Sequence, residues 1–250
     1  MERIGIIAAM ELELRLIEEG MRGRRAESHA MFSFTEGTIG AAEVVLSVCG
    51  VGKVNAAACT QAMIDKFAVT AIINTGIAGA ICDSLKPLDI VISSDVTYHD
   101  VRPARMSRLF PHQPFFAGDP ELIALARKAC TSLNLPGKCV AGRIVSGESF
   151  VNDDAEKMRI RDSYQACCVE MEGAAIGHVA YLNGIPFVII RAISDRADSQ
   201  ADLTYQEFES IAAGTSAGIV LSMLGGVAKT AGRMQKSRDS NLCSGRISQD

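Results

Sequence analysis

Short runs of almost continuously apolar residues recur along this chain, and segments with helical patterns separate them. The runs occupy residues 3–9, 71–74, 89–93, 139–146, 166–169 and 186–190. The helical patterns cover residues 10–19, 54–67, 120–133, 173–182 and 205–224. A strand that is apolar on both faces needs cover on both sides, and helices supply that cover in α/β folds. The sequence therefore predicts an α/β fold in which helices flank one central mixed sheet.

The chain is long enough for one large domain, because 250 residues with 48% hydrophobic residues can bury a sizeable core. No internal repeat or low-complexity linker divides it. The last residues, 229–250, are polar, lean basic and have little to bury. We therefore predict a single domain over residues 1–228 and a disordered tail over residues 229–250.

Charge and cysteine content limit the classes of function. The net charge of −4 argues against a general nucleic-acid binder, which usually carries a basic face. No apolar run reaches the length that a bilayer requires. The eight cysteines form no C-x-x-C pair, which favours free thiols in a reducing compartment. We expect a cytoplasmic protein that binds neither nucleic acid nor a membrane.

Charged residues follow two of the apolar runs. Glu172 lies just after the run 166–169, and Arg191 and Asp195 follow the run 186–190. Charge at the end of a buried strand is costly unless it is paired or used, and α/β sheets bind ligands at the carboxyl ends of their strands. We therefore expect a polar cluster on two neighbouring strand ends. A buried set of salt bridges without chemistry is the alternative.

Several other kinds of site have weaker support. The glycines at 50–52 and 76–79 lack the full dinucleotide-binding pattern after the first strand. Ser146 lacks the leading glycine of a nucleophile elbow. The four histidines have no metal-ligand spacing. The carboxylates therefore remain as the candidates for chemistry.

Glu13 follows the first strand, so that with Glu172 and Asp195 it gives a set of acids near strand ends. Cleavage of a glycosidic bond needs an acid that protonates the leaving group and a base that activates water. A further carboxylate can stabilise the positive charge that develops on the sugar ring. The acids of this chain therefore suit hydrolysis of a glycosidic bond.

The chain resembles the 5′-methylthioadenosine/S-adenosylhomocysteine nucleosidases of the purine nucleoside phosphorylase-like superfamily. The matching segments, in the family's order, are 4–13 (IGIIAAMELE), 50–54 (GVGKV), 73–79 (INTGIAG), 98–100 (YHD), 145–147 (VSG), 150–151 (FV), 169–172 (VEME) and 191–195 (RAISD). The set of segments makes the match specific, although no single one would. The resemblance implies a three-layer αβα fold with a mixed, partly barrel-like sheet, a homodimer, and neither a metal nor an organic cofactor.

The resemblance also implies a reaction and the residues that carry it. The enzyme would release adenine from methylthioadenosine and S-adenosylhomocysteine, and its small-molecule partner would be an adenine nucleoside. Glu13 would be the base that activates the attacking water, and Asp195 would be the acid that protonates N7 of adenine. The implied substrate-binding residues are Val51, Ile77, Ala78, Gly79, Phe150, Val151, Glu170, Met171, Glu172, Arg191 and Ser194.

Among these residues, the family's pattern implies separate roles for the ribose and the base. Met171 and Glu172 would hold the ribose, and Arg191 would help to place Glu172 and the water. Phe150 would stack on adenine, and the backbone of Val151 would read its edge.

Two departures from the family bear on the 5′ substituent, whose pocket Val51 would line. The family usually has Ser where Ile77 stands, so a hydroxyl near the expected water and ribose is missing. Residues 101–120 also differ from the family's usual stretch, which closes over the 5′ substituent partly from a neighbouring subunit. Three side chains of this long loop could rebuild that apolar wall: Phe110, Phe115 and Phe116.

Other functions remain open. One alternative is a phosphate-dependent nucleoside phosphorylase, which needs arginines around its phosphate. Only Arg3 and Arg191 lie near the proposed strand ends. Glu13 would also repel the phosphate anion. A non-catalytic nucleoside-binding protein would fit the altered Ile77 and the altered loop, but it leaves the intact acids without a role. Related hydrolase substrates, such as 5′-deoxyadenosine or aminodeoxyfutalosine, also remain open.

Overall fold

The computed structural model describes residues 3–243, and the side chains of Leu203 and of residues 226–243 lie outside that description. The strands are β1 (Arg3–Ala8), β2 (Arg22–His29), β3 (Phe32–Ile39), β4 (Ala42–Val48), β5 (Ala71–Ala80), β6 (Ile90–Tyr98), β7 (Phe116–Ala117), β8 (Cys139–Ser146), β9 (Cys168–Glu170) and β10 (Phe187–Asp195). The helices are α1 (Glu11–Glu19), α2 (Lys53–Phe67), α3 (Pro103–Arg108), α4 (Pro120–Leu133), α5 (Asp154–Tyr164), α6 (Gly173–Leu182) and α7 (Ala201–Cys243).

The strands form one mixed sheet, part of which closes on itself. The strand order is β10-β6-β8-β9-β5-β1-β4-β3-β2, with β7 beside β6. Because β10 also pairs with β5, the strands β5, β10, β6, β8 and β9 close a ring. Outside the ring, β1 and β4 continue from β5 in parallel, and β3 and β2 follow antiparallel. The predicted mixed, partly barrel-like sheet is confirmed.

Successive residues of the central strands face two different helical layers. In β5, Ile73 packs in the core that contains the apolar faces of α1, α4 and α7, whereas Ile72 packs in the core of α2 and α6. Ile190 and Ile189 of β10 divide in the same way. Side chains alternate across a strand, so a strand that is apolar throughout can bury both faces. The predicted three-layer αβα fold is confirmed.

Elements with strong apolar patterns lie where the sequence predicts them, and elements with weak patterns do not. The bounds of α4, α6 and β8 agree with the prediction. The prediction lacks β2, an almost wholly exposed strand at the sheet edge, and α5, in which Ile160 and Tyr164 are the buried residues. Residues 101–120 were expected to form one long loop, but they contain α3 and β7.

The last helix, α7, is longer than the predicted helix over 205–224, and it extends over part of the expected tail. Residues 244–250 lie outside the described residues. The domain boundary at residue 228 and the disorder of residues 229–250 therefore stay predictions.

Part of α7 has the length and composition of a membrane span. This part is the 22-residue stretch Thr204–Gly225, which passes by length and composition alone and contains the acids Glu207 and Glu209. Its buried residues, which include Ala213, Ala217 and Val220, pack in the same core as β5 and β10. The stretch therefore serves as a core helix of this fold.

Candidate active site

A cavity of about 350 Å³ opens where β1, β5, β9 and β10 end. Its lining residues are Ala9, Met10, Glu13, Val51, Ile77, Ala78, Gly79, Phe150, Val169, Glu170, Met171, Glu172, Ser194, Asp195, Asp202 and Tyr205. Both the volume and the position at strand ends are typical of a small-molecule site. All of the expected site residues except Val151 and Arg191 line this cavity.

These two residues lie next to the cavity. Val151 lines a small side pocket, to which Gly79, Phe150 and Asp195 of the main cavity also contribute. Arg191 is 2% exposed and reaches the cavity through a contact with Glu170.

The sequence indicates that the two polar segments lie on neighbouring strands, but in the structure another strand separates them. β5 lies between β9 and β10 and pairs with both of them. β10 also continues to Asp195, so Arg191 lies within the strand and not after its end. The expected polar cluster nevertheless forms, because the closed ring brings the ends of β9 and β10 to one rim.

Backbone groups hold the carboxylate of Glu13 in the first turn of α1. Its Oε2 accepts hydrogen bonds from the N–H groups of Ala9 (3.0 Å) and Met10 (2.9 Å), and its Oε1 accepts one from Ile77 (3.1 Å). Burial raises the pKa of Glu13, although Arg191 and the three N–H groups act in the opposite direction. A fixed carboxylate with a raised pKa is well suited to accept a proton.

Asp195 is 1% exposed and is held by two hydrogen bonds. Its Oδ2 accepts one from the hydroxyl of Ser194, and its Oδ1 accepts one from the N–H of Ala197, both at 2.8 Å. Burial raises the pKa of Asp195 more than these two hydrogen bonds lower it. A carboxyl group with a raised pKa can keep its proton until a leaving group takes it.

Arg191 is a buried cation between several acids. Its Nη2 donates to Oδ1 of Asn74 at 2.6 Å and to Oε2 of Glu170. Oε2 of Glu172 lies 3.9 Å from the same nitrogen. The N–H of Gly173 also donates to Glu170, at 2.7 Å, so Glu170 is held from two sides.

The salt-bridge alternative accounts for part of this cluster. Arg191 and Glu170 form a close buried pair, with Glu172 at the edge of its reach. Within the described part of the chain, neither Glu13 nor Asp195 has a cation within 4 Å. A structural role as ion-pair partners therefore does not explain these two acids.

Glu172 is the N-cap of α6 and lines the same cavity as Glu13. Its Oε1 accepts a hydrogen bond from the N–H of Gly52 at 2.8 Å. Burial and the neighbouring Glu170 raise the pKa of Glu172 to about 7. The carboxyl group of Glu172 thus changes its charge close to neutral pH.

Two glycines of β5 allow two acids to approach the strand. A Cβ on Gly76 would lie 2.6 Å from Oε1 of Glu13, and a Cβ on Gly79 would lie 2.7 Å from Oδ1 of Asp195. A side chain at either position would force the carboxylate to move away from the strand. These glycines therefore serve close approach of a carboxylate and not the binding of a dinucleotide.

Apolar side chains form the outer part of the cavity. The ring of Phe150 is 43% exposed and meets the ring of Tyr205 edge-on, with 5.8 Å between centroids. Val51 is 51% exposed. A partly exposed aromatic ring beside a cavity can stack on a planar ligand, because the rigid ring gains contact area and loses little conformational entropy.

The sequence interpretation omitted Ala9 and Val169, which lie at the end of β1 and in β9, and three further lining residues: Met10, Asp202 and Tyr205. Met10 is the N-cap of α1, and the other two lie in the first turns of α7. The hydroxyl of Tyr205 donates to Glu209 at 3.0 Å. The sequence could have indicated these residues by their position at the start of a helix that follows a strand. Such helices direct their first turns towards a ligand at the strand ends.

The phenylalanines of residues 101–120 do not line the described cavity. Phe116 is fully buried and stacks on His178 at 4.4 Å, and Phe115 lies 4.1 Å from the guanidinium of Arg143. Phe110 is 79% exposed. The expectation that these side chains rebuild an apolar wall is wrong for Phe116, which is fully buried, and stays a prediction for Phe110 and Phe115.

Comparison with known proteins gives matches along most of the chain. The family model of the phosphorylase superfamily matches residues 3–225. A 5′-methylthioadenosine/S-adenosylhomocysteine nucleosidase of Halalkalibacterium halodurans is 41% identical over 231 residues, which are 90% of this chain and 99% of that protein. The nucleosidase of that name from Neisseria meningitidis, solved in complex with methylthio-immucillin-A, has a TM-score of 0.85 and 37% identity, and covers 90% of this chain and 99% of its own.

A second enzyme of the superfamily is also similar. Futalosine hydrolase of Helicobacter pylori has a TM-score of 0.83 and 28% identity, and the match covers 90% of this chain and 97% of that one. Identity to the two nucleosidases is higher, and the range matched by the family model includes every residue that lines the cavity. The chain therefore belongs to the phosphorylase superfamily and, within it, to the 5′-methylthioadenosine/S-adenosylhomocysteine nucleosidases.

Proposed function

We propose that this protein hydrolyses the N-glycosidic bond of 5′-methylthioadenosine and S-adenosylhomocysteine and releases adenine. The observation that carries the proposal is the placement of two buried carboxyl groups with raised pKa, Glu13 and Asp195, in one cavity. Hydrolysis of this bond needs a proton donor and a base in one site. The names of the related enzymes supply the substrate class.

Asp195 is the proposed acid. In its neutral form it gives its proton to N7 of adenine, so the electron pair of the breaking bond leaves with a neutral base. The hydroxyl of Ser194 and the N–H of Ala197 already face the carboxylate that remains, and they stabilise its charge. No reorganisation of these donors is needed during the reaction.

Glu13 and Glu172 act on the sugar and the water. As the bond to adenine breaks, positive charge develops on the ribose, and the carboxylate of Glu172 in the same cavity stabilises that charge. Glu13 takes one proton from the water whose oxygen attacks C1′. The hydroxyl of that water stays on the methylthioribose product, and Glu13 later returns its proton to solvent.

The charges of the cavity favour water over phosphate as the nucleophile. Acids are numerous in its lining: Glu13, Glu170, Glu172, Asp195 and Asp202. Among the residues that the structure describes, no Lys or Arg side chain lines the cavity. Arg3 lies at the opposite end of β1, where it pairs with Glu36 and Glu43. Arg191 pairs with Glu170 behind the lining, so a phosphate ion in this cavity would meet the carboxylate of Glu13 with no cation of the lining to bind it.

The replacement of the family's Ser by Ile77 leaves the contact to the base in place. Ile77 binds Glu13 through its backbone N–H, which any residue at this position would supply. The altered side chain therefore bears on the space around the ribose and not on the hold on Glu13. This supports a catalytic protein over one that binds a nucleoside without turnover.

The test is adenine release from methylthioadenosine by the purified protein, first without phosphate and then with it. We expect equal rates in both buffers, with free methylthioribose as the second product. Release that requires phosphate would identify a phosphorylase. Binding of methylthioadenosine without release in either buffer would identify a binding protein.

The preferred 5′ substituent is measured by comparison of kcat/KM among adenine nucleosides. We expect methylthioadenosine and S-adenosylhomocysteine to be cleaved faster than 5′-deoxyadenosine, because the outer cavity wall, with Val51 and Phe150, is apolar and offers contact to a thioether. Aminodeoxyfutalosine is the matched comparison, since one related enzyme is a futalosine hydrolase. Faster cleavage of that compound would move the assignment to the other specificity.

The pH profile is expected to report the charge of Glu172. A pKa of about 7 means that its carboxylate is lost as the pH falls below that value, so kcat/KM should fall towards pH 6. In Glu172→Gln the rate should be lower at every pH and this dependence should disappear. Glu207→Gln, an exposed acid on α7, should keep the wild-type profile. A wild-type profile that is flat from pH 6 to 8 would contradict the proposed role.

We also propose that the protein acts as a homodimer. Large apolar side chains are exposed at the start of α2 and just after α3: Val51 (51%), Val54 (78%), Leu109 (54%) and Phe110 (79%). Lys53 pairs with Asp100 at 2.6 Å, which brings the start of α2 beside residues 101–110. A second copy would cover this surface. Sedimentation should give twice the chain mass of 26.6 kDa, and a monomer would refute the proposal.

A cytoplasmic location and a role in methionine salvage complete the proposal. The cysteines that the structure describes are free thiols, which suits a reducing compartment. The proposed product, methylthioribose, retains the sulfur of the substrate for recovery. Accumulation of methylthioadenosine in cells that lack the gene would support this role, and unchanged levels would refute it.

A further inference from the structure

Two cysteines outside the cavity are in direct contact. Cys130 lies near the end of α4, Cys139 begins β8, and their sulfur atoms are 2.8 Å apart. The pair lies at the end of β8 that is remote from the cavity, because the other end of this strand carries Ser146, whose hydroxyl binds Glu170. The proposed reaction therefore does not use these thiols.

Both cysteines lie on secondary structure that its own contacts hold in place. Next to Cys139, the N–H of Lys138 donates to Oδ1 of Asp89 at 2.9 Å, which fixes the start of β8. In α4, the neighbouring Ala126 and Ala129 are buried against the core. A disulfide has an S–S distance of about 2.05 Å, so the two atoms need to approach by less than about 1 Å. The fold thus presents the two thiols close to bonding position.

The two thiols differ in exposure and acidity. Cys139 is partly exposed, whereas Cys130 is buried. The contact with Cys130 lowers the pKa of Cys139, because a thiol can donate to the Cys139 thiolate, and Arg127 acts in the same direction. The same contact, together with burial, raises the pKa of Cys130. A partly exposed thiolate is the one that reacts first, and a buried neighbour then resolves the product.

We propose that Cys130 and Cys139 are a redox-active pair, which a small-molecule disulfide such as oxidised glutathione converts to a reversible intramolecular disulfide that fastens α4 to β8. The Cys139 thiolate attacks one sulfur of oxidised glutathione and expels one glutathione thiolate. Cys130 loses its proton and attacks the Cys139 sulfur of this mixed disulfide, which expels the second glutathione. The two protein thiols lose two electrons and two protons, and oxidised glutathione gains them and becomes two molecules of reduced glutathione.

This chemistry is compatible with a reducing compartment. There the pair stays as two thiols, and it closes when the ratio of oxidised to reduced glutathione rises. Cys82 and Cys167 are also in side-chain contact, but both are partly exposed, so they lack the combination of one partly exposed and one buried thiol. Cys59 is buried and has Ser47 as its contact at 3.3 Å, and so it serves as an internal control.

The test is peptide mapping of the purified full-length protein after incubation with oxidised glutathione. Free thiols are alkylated in denaturant, and trypsin is used without reductant. Cleavage after Lys128, Lys138 and Arg143 places the two cysteines on separate peptides, 129–138 and 139–143. We expect these peptides as one disulfide-linked pair, which dithiothreitol separates, while Cys59 is recovered alkylated. Recovery of both cysteines alkylated, or of Cys139 as a stable glutathione adduct, would overturn the proposal.

Two single variants separate the proposed order of steps from accidental proximity. In Cys130→Ser, Cys139 should accumulate as the glutathione adduct, because no resolving thiol remains. In Cys139→Ser, Cys130 should stay reduced, because it is buried. Oxidation should also raise the melting temperature of the wild-type protein by about 5 °C and leave that of Cys139→Ser unchanged. A linked pair without this rise would refute the claim that the disulfide fastens α4 to β8.

Discussion

The Asp195→Asn variant should release adenine from methylthioadenosine about 10²- to 10⁴-fold more slowly than the wild-type protein. Asparagine has the shape of aspartate but has no proton that it can transfer to N7. Its carbonyl oxygen can still accept from the N–H of Ala197, and its amide can donate to the hydroxyl of Ser194, so the local hydrogen bonds persist. Affinity for the nucleoside should therefore change little, which calorimetry with methylthioadenosine can measure on the slow variant.

The same variant distinguishes a functional acid from a structural one. The folded state raises the pKa of Asp195 above its unfolded value, so the stability associated with this group falls as the pH rises through the raised pKa. Asparagine removes that charge, and the melting temperature at pH 8 should stay the same or increase. Asp162→Asn, an exposed acid outside the cavity lining, is the matched control for activity. A large loss of stability in Asp195→Asn with near-normal turnover would indicate a structural carboxylate.

The sequence could predict most of the fold because the central strands are apolar on both faces. Ile72 and Ile73 illustrate this, since each needs a different helical layer for its burial. The positions of Glu13 and Asp195 could be predicted for a related reason. Each lies where an apolar run ends, and the family resemblance supplied their roles.

The pairing of distant strands could not be predicted from local pattern. The closure of β10 on β5 joins Phe187 to Ile72, and nothing in either strand specifies its partner. The polar contacts of the site depend on this closure. It places the guanidinium of Arg191 against Glu170 and leaves Oε2 of Glu172 3.9 Å from Nη2 of Arg191. β2 escaped prediction for another reason. Its residues are charged and exposed, as is common for an edge strand, so it has no apolar alternation.

The Glu13→Gln variant should lose about 10²- to 10⁴-fold in turnover and, unlike Asp195→Asn, should also lose stability. Three backbone N–H groups face the Glu13 carboxylate, from Ala9, Met10 and Ile77. A glutamine amide has one oxygen, so its nitrogen must face at least one of these donors. A buried N–H without an acceptor costs about 1–3 kcal/mol. Melting temperature and adenine release on the same preparation measure both losses.

Glu11→Gln is the matched control, because Glu11 is an exposed acid in the first turn of the same helix. It should keep wild-type turnover and nearly wild-type stability. The Glu13→Gln defect should also be in kcat more than in the affinity for methylthioadenosine, since the base acts on water and not on the bound nucleoside. If Glu13→Gln lost stability but kept its turnover, Glu13 would be a helix cap for α1. The base that activates water would then have to be sought among the other acids of the cavity.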